Sequence, residues 1–260
     1  MTRIDISGPD VVGIRAQNPG PFTLTGTNSW IVGHDPAWIV DPGPALPEHV
    51  AALTAELDAR GGLAGIALTH DHADHAQAIP LLRARFPDAV LAAGRGEADV
   101  ELHDGLSVGP LVAVSTPGHA PDHFSFVCGS TVFTGDAVLG QGSVFIAPDP
   151  GALAGYLEGL AALRRREPKL ILPGHGPPVP RPLDKLDEYA AHRLDRERRL
   201  VAALAVGARS IPDLLDAAWD DVPESLRPAA TVTLAAHLDK LESEGRLPAG
   251  VERPSEFRLA

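Results

Sequence analysis

The chain has one cysteine, Cys128, one methionine, two tyrosines and few lysines among its 260 residues. A single thiol closes no intramolecular disulfide and points to a reducing, cytoplasmic setting. No run approaches the ~18 apolar residues of a membrane span, and Asp5 and Asp10 interrupt the start where a signal peptide needs an apolar stretch, so no membrane partner is expected. Basic charge is also short. Lys and Arg number 22 against 34 Asp and Glu, a formal charge of -12. That balance argues against a surface built to coat nucleic acid or an anionic membrane, although a local basic groove stays open. With 44% hydrophobic residues the chain can bury one large core or two modest ones, which excludes a miniprotein held by staples. Against these shortages stand eleven histidines, more than the seven phenylalanines.

Up to about residue 182 short β-type runs are punctuated by glycine and proline: SWIVG (29–33), AWIVD (37–41), GIALT (65–69), AVLAAG (89–94), LVAVST (111–116), HFSFVC (123–128) and TVFTG (131–135). Helical spacing appears between them at 46–60, 76–86 and 150–166, the last carrying Leu153, Leu157, Leu160 and Leu163. Interleaved strands and helices predict an α/β layered fold. The segment PGHGPPVPRP (173–182) can continue neither a helix nor a central strand and sets a boundary there. We therefore expect a catalytic domain over 1–182 and a mostly helical domain over 183–260. The second comprises a long helix (183–206), a helix capped by Ser210, and a last helix over 226–244 ending at Gly245.

The segment LTHDHADH places His70, His72, Asp74 and His75 within six residues after a strand. Imidazoles with a carboxylate suit borderline cations, and a turn before a helix lets successive side chains face two adjacent ions. Alone, such a tract also fits a solvated loop. The pattern recurs at strand ends in TPGH (116–119), TGD (134–136) and PGHG (173–176), each with a glycine that permits a tight turn. His119, Asp136 and His175 can thus converge with the first four on one rim, and four loops at once imply a shared site.

This sequence resembles the metallo-β-lactamase superfamily, whose H-x-H-x-D-H motif stands here as His70 to His75, followed in family order by His119, Asp136 and His175. The resemblance implies an αββα sandwich with the site at one edge of the paired sheets. It implies that His70, His72 and His119 hold one metal ion, that Asp74, His75 and His175 hold the other, and that Asp136 bridges. The cofactors would be two divalent ions, Zn²⁺ first, with Mn²⁺ or Fe²⁺ accepted by the same ligands. Asp41 matches a carboxylate that fixes ligand geometry from behind, and it also fits an ordinary turn before Pro42-Gly43. True β-lactamases of this superfamily lack the bridging Asp, which sets antibiotic hydrolysis aside. His72 stands where di-iron oxygen-reducing relatives carry Glu, which favours redox-inert hydrolysis. The implied mechanism is attack by a hydroxide shared between two cations about 3.5–4 Å apart, oriented by Asp74 and Asp136. His123, four residues after His119, is a candidate general acid, against a plain packing role.

Two substrate classes stay open. The stretches 18–33, 133–143 and the tail from His192 resemble β-lactamase-like hydrolases typified by a mitochondrial endoribonuclease, whose members carry a small winged-helix-like C-terminal domain. That leans towards phosphodiester cleavage in single-stranded RNA. The GTN turn (26–28) is shared with polyketide thioesterases of the same broad group, which implies a small-molecule acyl thioester or ester, as in thioesterases and glyoxalase-II-like enzymes. For RNA the available cations are Arg164, Arg165, Arg166, Arg193, Arg196, Arg198 and Arg199, but Arg193 with Glu197 and Asp195 with Arg199 stand at salt-bridge spacing. A non-enzymatic winged-helix nucleic-acid-binding module would need a basic last helix. That helix carries Arg227 and Lys240 against Glu224, Asp239, Glu242 and Glu244. The tail is expected instead to wall the active site, with Leu234, Leu238 and Leu241 packing it onto the main domain, or to support a homo-oligomer.

Overall fold

Aliphatic strand runs with no polar side must be covered on both faces. The computed structural model, which describes residues 1–6 and 10–254, stacks them as two sheets between helices. The first sheet runs in sequence order: β1 (Thr2–Asp5), β2 (Val11–Arg15), β3 (Asn28–Val32), β4 (Ala37–Val40), β5 (Leu63–Ala67), β6 (Val90–Ala93) and β7 (Val100–Glu101). Pairing is antiparallel through β4 and parallel from β4 to β7. The second sheet comprises β8 (Ser107–Val108), β9 (Leu111–Ser115), β10 (Phe124–Cys128), β11 (Thr131–Gly135) and β12 (Leu170–Pro173), in the order β12-β11-β10-β9-β8. Only the β11–β12 pair in it is parallel.

The period of two along each strand sorts side chains between layers. In β3, Trp30 points between the sheets with Phe126, Phe133 and Leu172, while Ile31 faces outward with Ile39, Ile66 and Leu82. That outer face is covered by α1 (Pro47–Ala59), through Leu53 and Leu57, and by the short α2 (Ala73–Ala76) and α3 (Ile79–Arg85). On the far side α4 (Ala152–Arg165) lays Leu153, Tyr156, Leu160 and Leu163 over Val114, Val132 and Ile171. This is the expected αββα sandwich. The helix expected over 76–86 is two pieces, because the ligand-bearing turn occupies α2 and Pro80 starts a new helix at α3. Strands β1, β2, β7 and β8 escaped the sequence reading, and β12 is the strand expected ahead of PGHG.

The tail is α5 (Pro182–Ala205), α6 (Ile211–Ala218), a 3₁₀ turn (Glu224–Leu226) and α7 (Arg227–Ser243). Ser210 caps α6 as expected, its hydroxyl accepting the Asp213 N–H, and Gly245 ends α7 with φ of 68°. The first turns of α5 pack Leu186 and Tyr189 against α4, whereas Leu200 and Leu204 pack with Leu214 and Trp219. Leu234, Leu238 and Leu241 face this second core within the tail rather than the main domain, and Ala236 is the α7 residue that reaches the α4 cluster. Beyond α7 the described residues contain no strand, and the returning chain is held by the Glu252 N–H to the Arg209 carbonyl at 2.8 Å. Among the described residues no helix is long and apolar enough to cross a membrane.

Candidate metal centre

Parallel pairing brings strand ends to one edge. Neighbours β4 and β5 deliver Asp41 and the Thr69–His70 pair, neighbours β11 and β12 deliver Asp136 and His175, and the turn after β9 adds His119. His72 stands at the N-cap of α2, whose single turn carries Asp74 and His75. Asp41 adopts φ of 52°, a left-handed conformation that Asp tolerates better than most residues, and the bend turns its carboxylate back into the edge.

All seven expected ligands meet. His70, His72 and His119 form one trio and Asp74, His75 and His175 another. The His72 Nδ1 lies 3.0 Å from both His70 Nε2 and His119 Nε2. In the second trio His175 Nε2 is 3.3 Å from His75 Nε2 and 3.2 Å from Asp74 Oδ2. Asp136 sits between them, with Oδ2 3.6 Å from His119 Nε2 and Oδ1 3.5 and 3.4 Å from the Nε2 atoms of His75 and His175. Tetrahedral ligands held about 2.0–2.1 Å from a cation lie roughly 3.3 Å apart, so these spacings fit the edges of coordination polyhedra. Asp136 Oδ1 is buried without a hydrogen-bond partner, as expected of an atom reserved for an ion. The residues present therefore fit two divalent cations.

Behind the ligands a hydrogen-bond chain fixes which nitrogen faces inward. Asp41 accepts from the Thr69 N–H, the Thr69 hydroxyl and His75 Nδ1, each at 2.8 Å, and the same hydroxyl lies 2.9 Å from His70 Nδ1. Protons on both Nδ1 atoms leave the Nε2 lone pairs of His70 and His75 pointing at the site. His119 Nδ1 reaches the Phe145 carbonyl at 3.4 Å and His175 Nδ1 the Gly26 carbonyl at 3.5 Å. Asp41 thus has a task beyond a turn. Asn28, noted in the sequence only within the GTN turn, clamps the His175 loop. Its side-chain amide donates to the carbonyls of Pro173 and Gly176 at 3.1 and 2.9 Å, and Trp30 Nε1 adds a bond to Pro173. Gly174 is required by space, since a Cβ there would lie 2.7 Å from His75 Cε1 and 2.8 Å from Asp136 Oδ1.

His123 lies close by but does not line the cleft. Its Nε2 accepts the Asp136 N–H at 3.1 Å, so the ring proton is on Nδ1, which donates to the Thr116 hydroxyl at 2.9 Å. Burial and the adjoining His119 push its pKa well below the usual value. The geometry makes it a neutral strut that orients Asp136, and no proton on it is free for a leaving group.

The site demands positive charge. Burial opposes a charged His175, yet Asp136 and Asp74 overcome it and raise the imidazole to about 10. His75 is likewise raised by Asp136 and Asp41 against its burial. Burial alone would raise the two carboxylates, but His175 and His75 hold Asp136 well below the usual range and Asp74 at about 2. His70 and His119 go the other way through burial beside other imidazoles, His119 to about 4. The proton on His175 stands where metal charge would stand.

The centre opens into a cavity of about 770 Å³ whose walls include Phe22, Leu24, Val144, Phe145, Trp219 and Leu226. Phe22 and Phe145 meet edge to face with centroids 6.1 Å apart. The opposite wall is the tail, with His192, Arg193 and Arg196 of α5. Its arginines are not paired as their spacing suggested. Arg199 bonds Asp220, Arg198 bonds Asp195, and Arg196 grips Asp221 at 2.6 and 2.9 Å. Glu197 is taken by Lys240 and Arg246, both at 2.7 Å, while Arg193 donates to the Val144 carbonyl and to Ser143.

Residues 22–97 and 93–175 match the metallo-beta-lactamase superfamily, and residues 210–248 match the beta-lactamase associated winged helix domain. The chain is 32% identical over 254 residues to a beta-lactamase-like protein 2 homolog of Caenorhabditis elegans, covering 90% of this chain and 85% of that one. It is 32% identical over 239 residues to an atrochrysone carboxyl ACP thioesterase of Aspergillus chevalieri, covering 84% and 76%. Among solved structures, a beta-lactamase domain protein from Burkholderia ambifaria superposes with a TM-score of 0.77 at 21% identity, over 95% of this chain and 91% of that one. The chain belongs to the metallo-β-lactamase superfamily and carries the winged-helix domain associated with it.

Proposed function

We propose that this hydrolase cleaves acyl thioesters or related esters with the help of two divalent cations, zinc first. The observation that carries the reading is the largely apolar cavity beside the ligand cluster, bounded by Phe22, Phe145 and Trp219, which suits an acyl chain better than a phosphate backbone. The fungal thioesterase likeness supports it. Four of the seven arginines offered for single-stranded RNA support it from the other side, because Arg164, Arg196, Arg198 and Arg199 already hold Asp187, Asp221, Asp195 and Asp220.

Two cations held by His70, His72 and His119 and by Asp74, His75 and His175, with Asp136 between them, would supply Lewis acidity and would lower the pKa of a water towards neutrality. The chain contributes placement. Asp136 is oriented by His123 through its backbone N–H, and Asp74 by His175 and by the Thr27 hydroxyl at 3.4 Å. The apolar walls exclude bulk water and strengthen every polar contact to a carbonyl oxygen. Protonation of the leaving group is the step for which the cavity offers least. His123 is engaged on both nitrogens, and burial beside Arg193 and Arg196 lowers His192 to about 4, so it is neutral at pH 7. A thiolate, with a thiol pKa of about 8.5, departs without an acid far more readily than an alkoxide does.

The test is a side-by-side assay of zinc-loaded protein on an acyl pantetheine thioester and on single-stranded RNA. Thioester cleavage that is lost in Asp136→Ala, with RNA intact, is expected. RNA cleavage without thioester cleavage would overturn the reading. Fewer than about two zinc equivalents after loading would overturn its dinuclear basis.

A further inference from the structure

The C-terminal wall of the cavity holds a cation for which no described residue provides a counter-ion. Arg193 is 2% exposed, yet among the described residues no carboxylate lies within ion-pair distance of it. Its Nη2 donates to the Val144 carbonyl and, at 2.8 Å, to Ser143 Oγ; its Nε is buried without a partner; and its guanidinium lies 5.6 Å from the Tyr156 ring centroid. The acid one turn further on, Glu197, is turned away to Lys240 and Arg246. The contrast with Arg196 is direct. That neighbour lines the same cavity and is neutralised by both oxygens of Asp221.

A buried guanidinium without a negative partner is expensive, and holding one carbonyl and one hydroxyl does not require a charge, since a neutral amide could do as much. We propose that Arg193 anchors an anion subsite in this cavity. The substrate then carries a negative group away from its scissile bond, either a carboxylate on the acyl chain or a phosphate on the thiol carrier. The proposal rests on the thioester reading and narrows it. It assigns the substrate two separated polar points, the carbonyl at the metal centre and the anion at Arg193, with apolar chain between them along Phe145 and Leu226.

Thioether analogues test this without turnover. Calorimetry on the zinc-loaded full chain compares S-hexyl-pantetheine with S-(5-carboxypentyl)-pantetheine and with S-hexyl-4'-phosphopantetheine. We expect one of the two anions to bind at least about tenfold tighter than the neutral analogue, and which one does so identifies the source of the charge. Arg193→Gln should bring that ratio to about one. So should Ser143→Asp, which sets a carboxylate beside an intact arginine at an exposed position and keeps the test alive if the first variant does not fold. A loss of packing alone would weaken all three analogues together and leave the ratio standing. A wild-type ratio near one for both anions, or a ratio that survives both variants, would overturn the subsite. Anion preference without hydrolysis of any thioester would sink the hydrolase reading instead, and hydrolysis without anion preference would sink only the subsite.

Discussion

Replacing Asp41 by Asn changes two heavy-atom contacts from acceptor to donor at nearly constant volume. The carboxylate accepts three hydrogen bonds of 2.8 Å, one at Oδ1 from the Thr69 N–H and two at Oδ2 from the Thr69 hydroxyl and His75 Nδ1. Asn can keep the first only by turning its amide nitrogen towards the other two, which sets donor against donor in a site 1% exposed. Relief requires the proton of His75 to move from Nδ1 to Nε2. It also requires the Thr69 hydroxyl to turn and donate to His70 Nδ1, which sends that ring's proton to Nε2 as well. Both shifts protonate nitrogens that should carry lone pairs into the ligand cluster, one in each trio. A buried mismatch of this kind costs about 1–3 kcal/mol, and loss of an outer hydrogen-bonding partner typically weakens a metal site by about 10–100-fold. We therefore expect zinc affinity, measured by competition with a chromophoric chelator, to fall about 10–100-fold at both equivalents. Urea unfolding of the metal-free protein would check that the fold is retained. Thr69→Val, which removes the partner of His70 and one donor to Asp41 but leaves the Asp41–His75 bond in place, should weaken one equivalent more than the other. An Asp41→Asn protein that binds zinc within about twofold of wild type would refute the tautomer argument.

Proton release gives a second prediction. His175 is raised to about 10 in the metal-free site, so it is protonated at neutral pH and must lose that proton on binding, and Asp136 and Asp41 raise His75 in the same direction against its burial. Calorimetry at pH 7 in buffers of different ionisation enthalpy should count at least about one proton released, with affinity rising with pH; release of none would contradict the His175 assignment. The same shifts set the pH stability of the metal-free chain. The raised His175 stabilises fully below its unfolded value of 6.5, and this contribution is lost as pH climbs through about 10. The lowered Asp74 stabilises above 3.8, and this is lost as pH falls through about 2. Metal-free urea midpoints should therefore decline towards both extremes, and a midpoint that rises from pH 8 to pH 10 would contradict the His175 assignment. For Gly174→Ala, the new methyl would press on His75 and Asp136, neither of which can retreat, and metal analysis should show loss of at least one equivalent; full loading would mean that the β12 loop yields.

The ligand set was legible because it is local: four donors fall within His70 to His75, and the other three stand beside glycines at the ends of strands whose composition marks them. Tertiary pairing supplied the rest. Asn28 acts on carbonyls 145 and 148 positions away, so nothing in its surroundings in the sequence distinguishes it from an ordinary turn residue. His123 illustrates the opposite failure. Its spacing from His119 suggested a shared face, but it opens an antiparallel strand, and both ring nitrogens are captured from behind by Thr116 and by the Asp136 backbone. The strands the sequence reading passed over include pairs such as Val100–Glu101 and Ser107–Val108, too short to show a period of two. Asp195–Arg199 and Arg193–Glu197 had the right spacing, but Asp220 took Arg199 and the bases Lys240 and Arg246 took Glu197, all three from outside the helix.

The two halves of the chain divide the labour of the site. Every ligand precedes residue 176, whereas the opposite cavity wall, with Arg193, Trp219 and Leu226, belongs to the tail. The halves are tied at the cavity by the Ile146 N–H to Thr233 Oγ1 at 3.3 Å and by Arg193 to the Val144 carbonyl, both on the loop that carries Phe145 to the back of His119. Metal binding would therefore depend on residues that the tail does not supply, while selection of the proposed acyl substrate would depend on residues that the metal ligands do not include. The formal charge of -12 is consistent with that division. The surplus acids lie mostly on the surface, and Asp74 and Asp136, counted in it, would be more than offset by the four positive charges of two divalent ions. An acidic protein could thus present a locally positive cleft, with metal charge at one wall and the Arg193 guanidinium at the other, as the proposed substrate with an apolar middle requires.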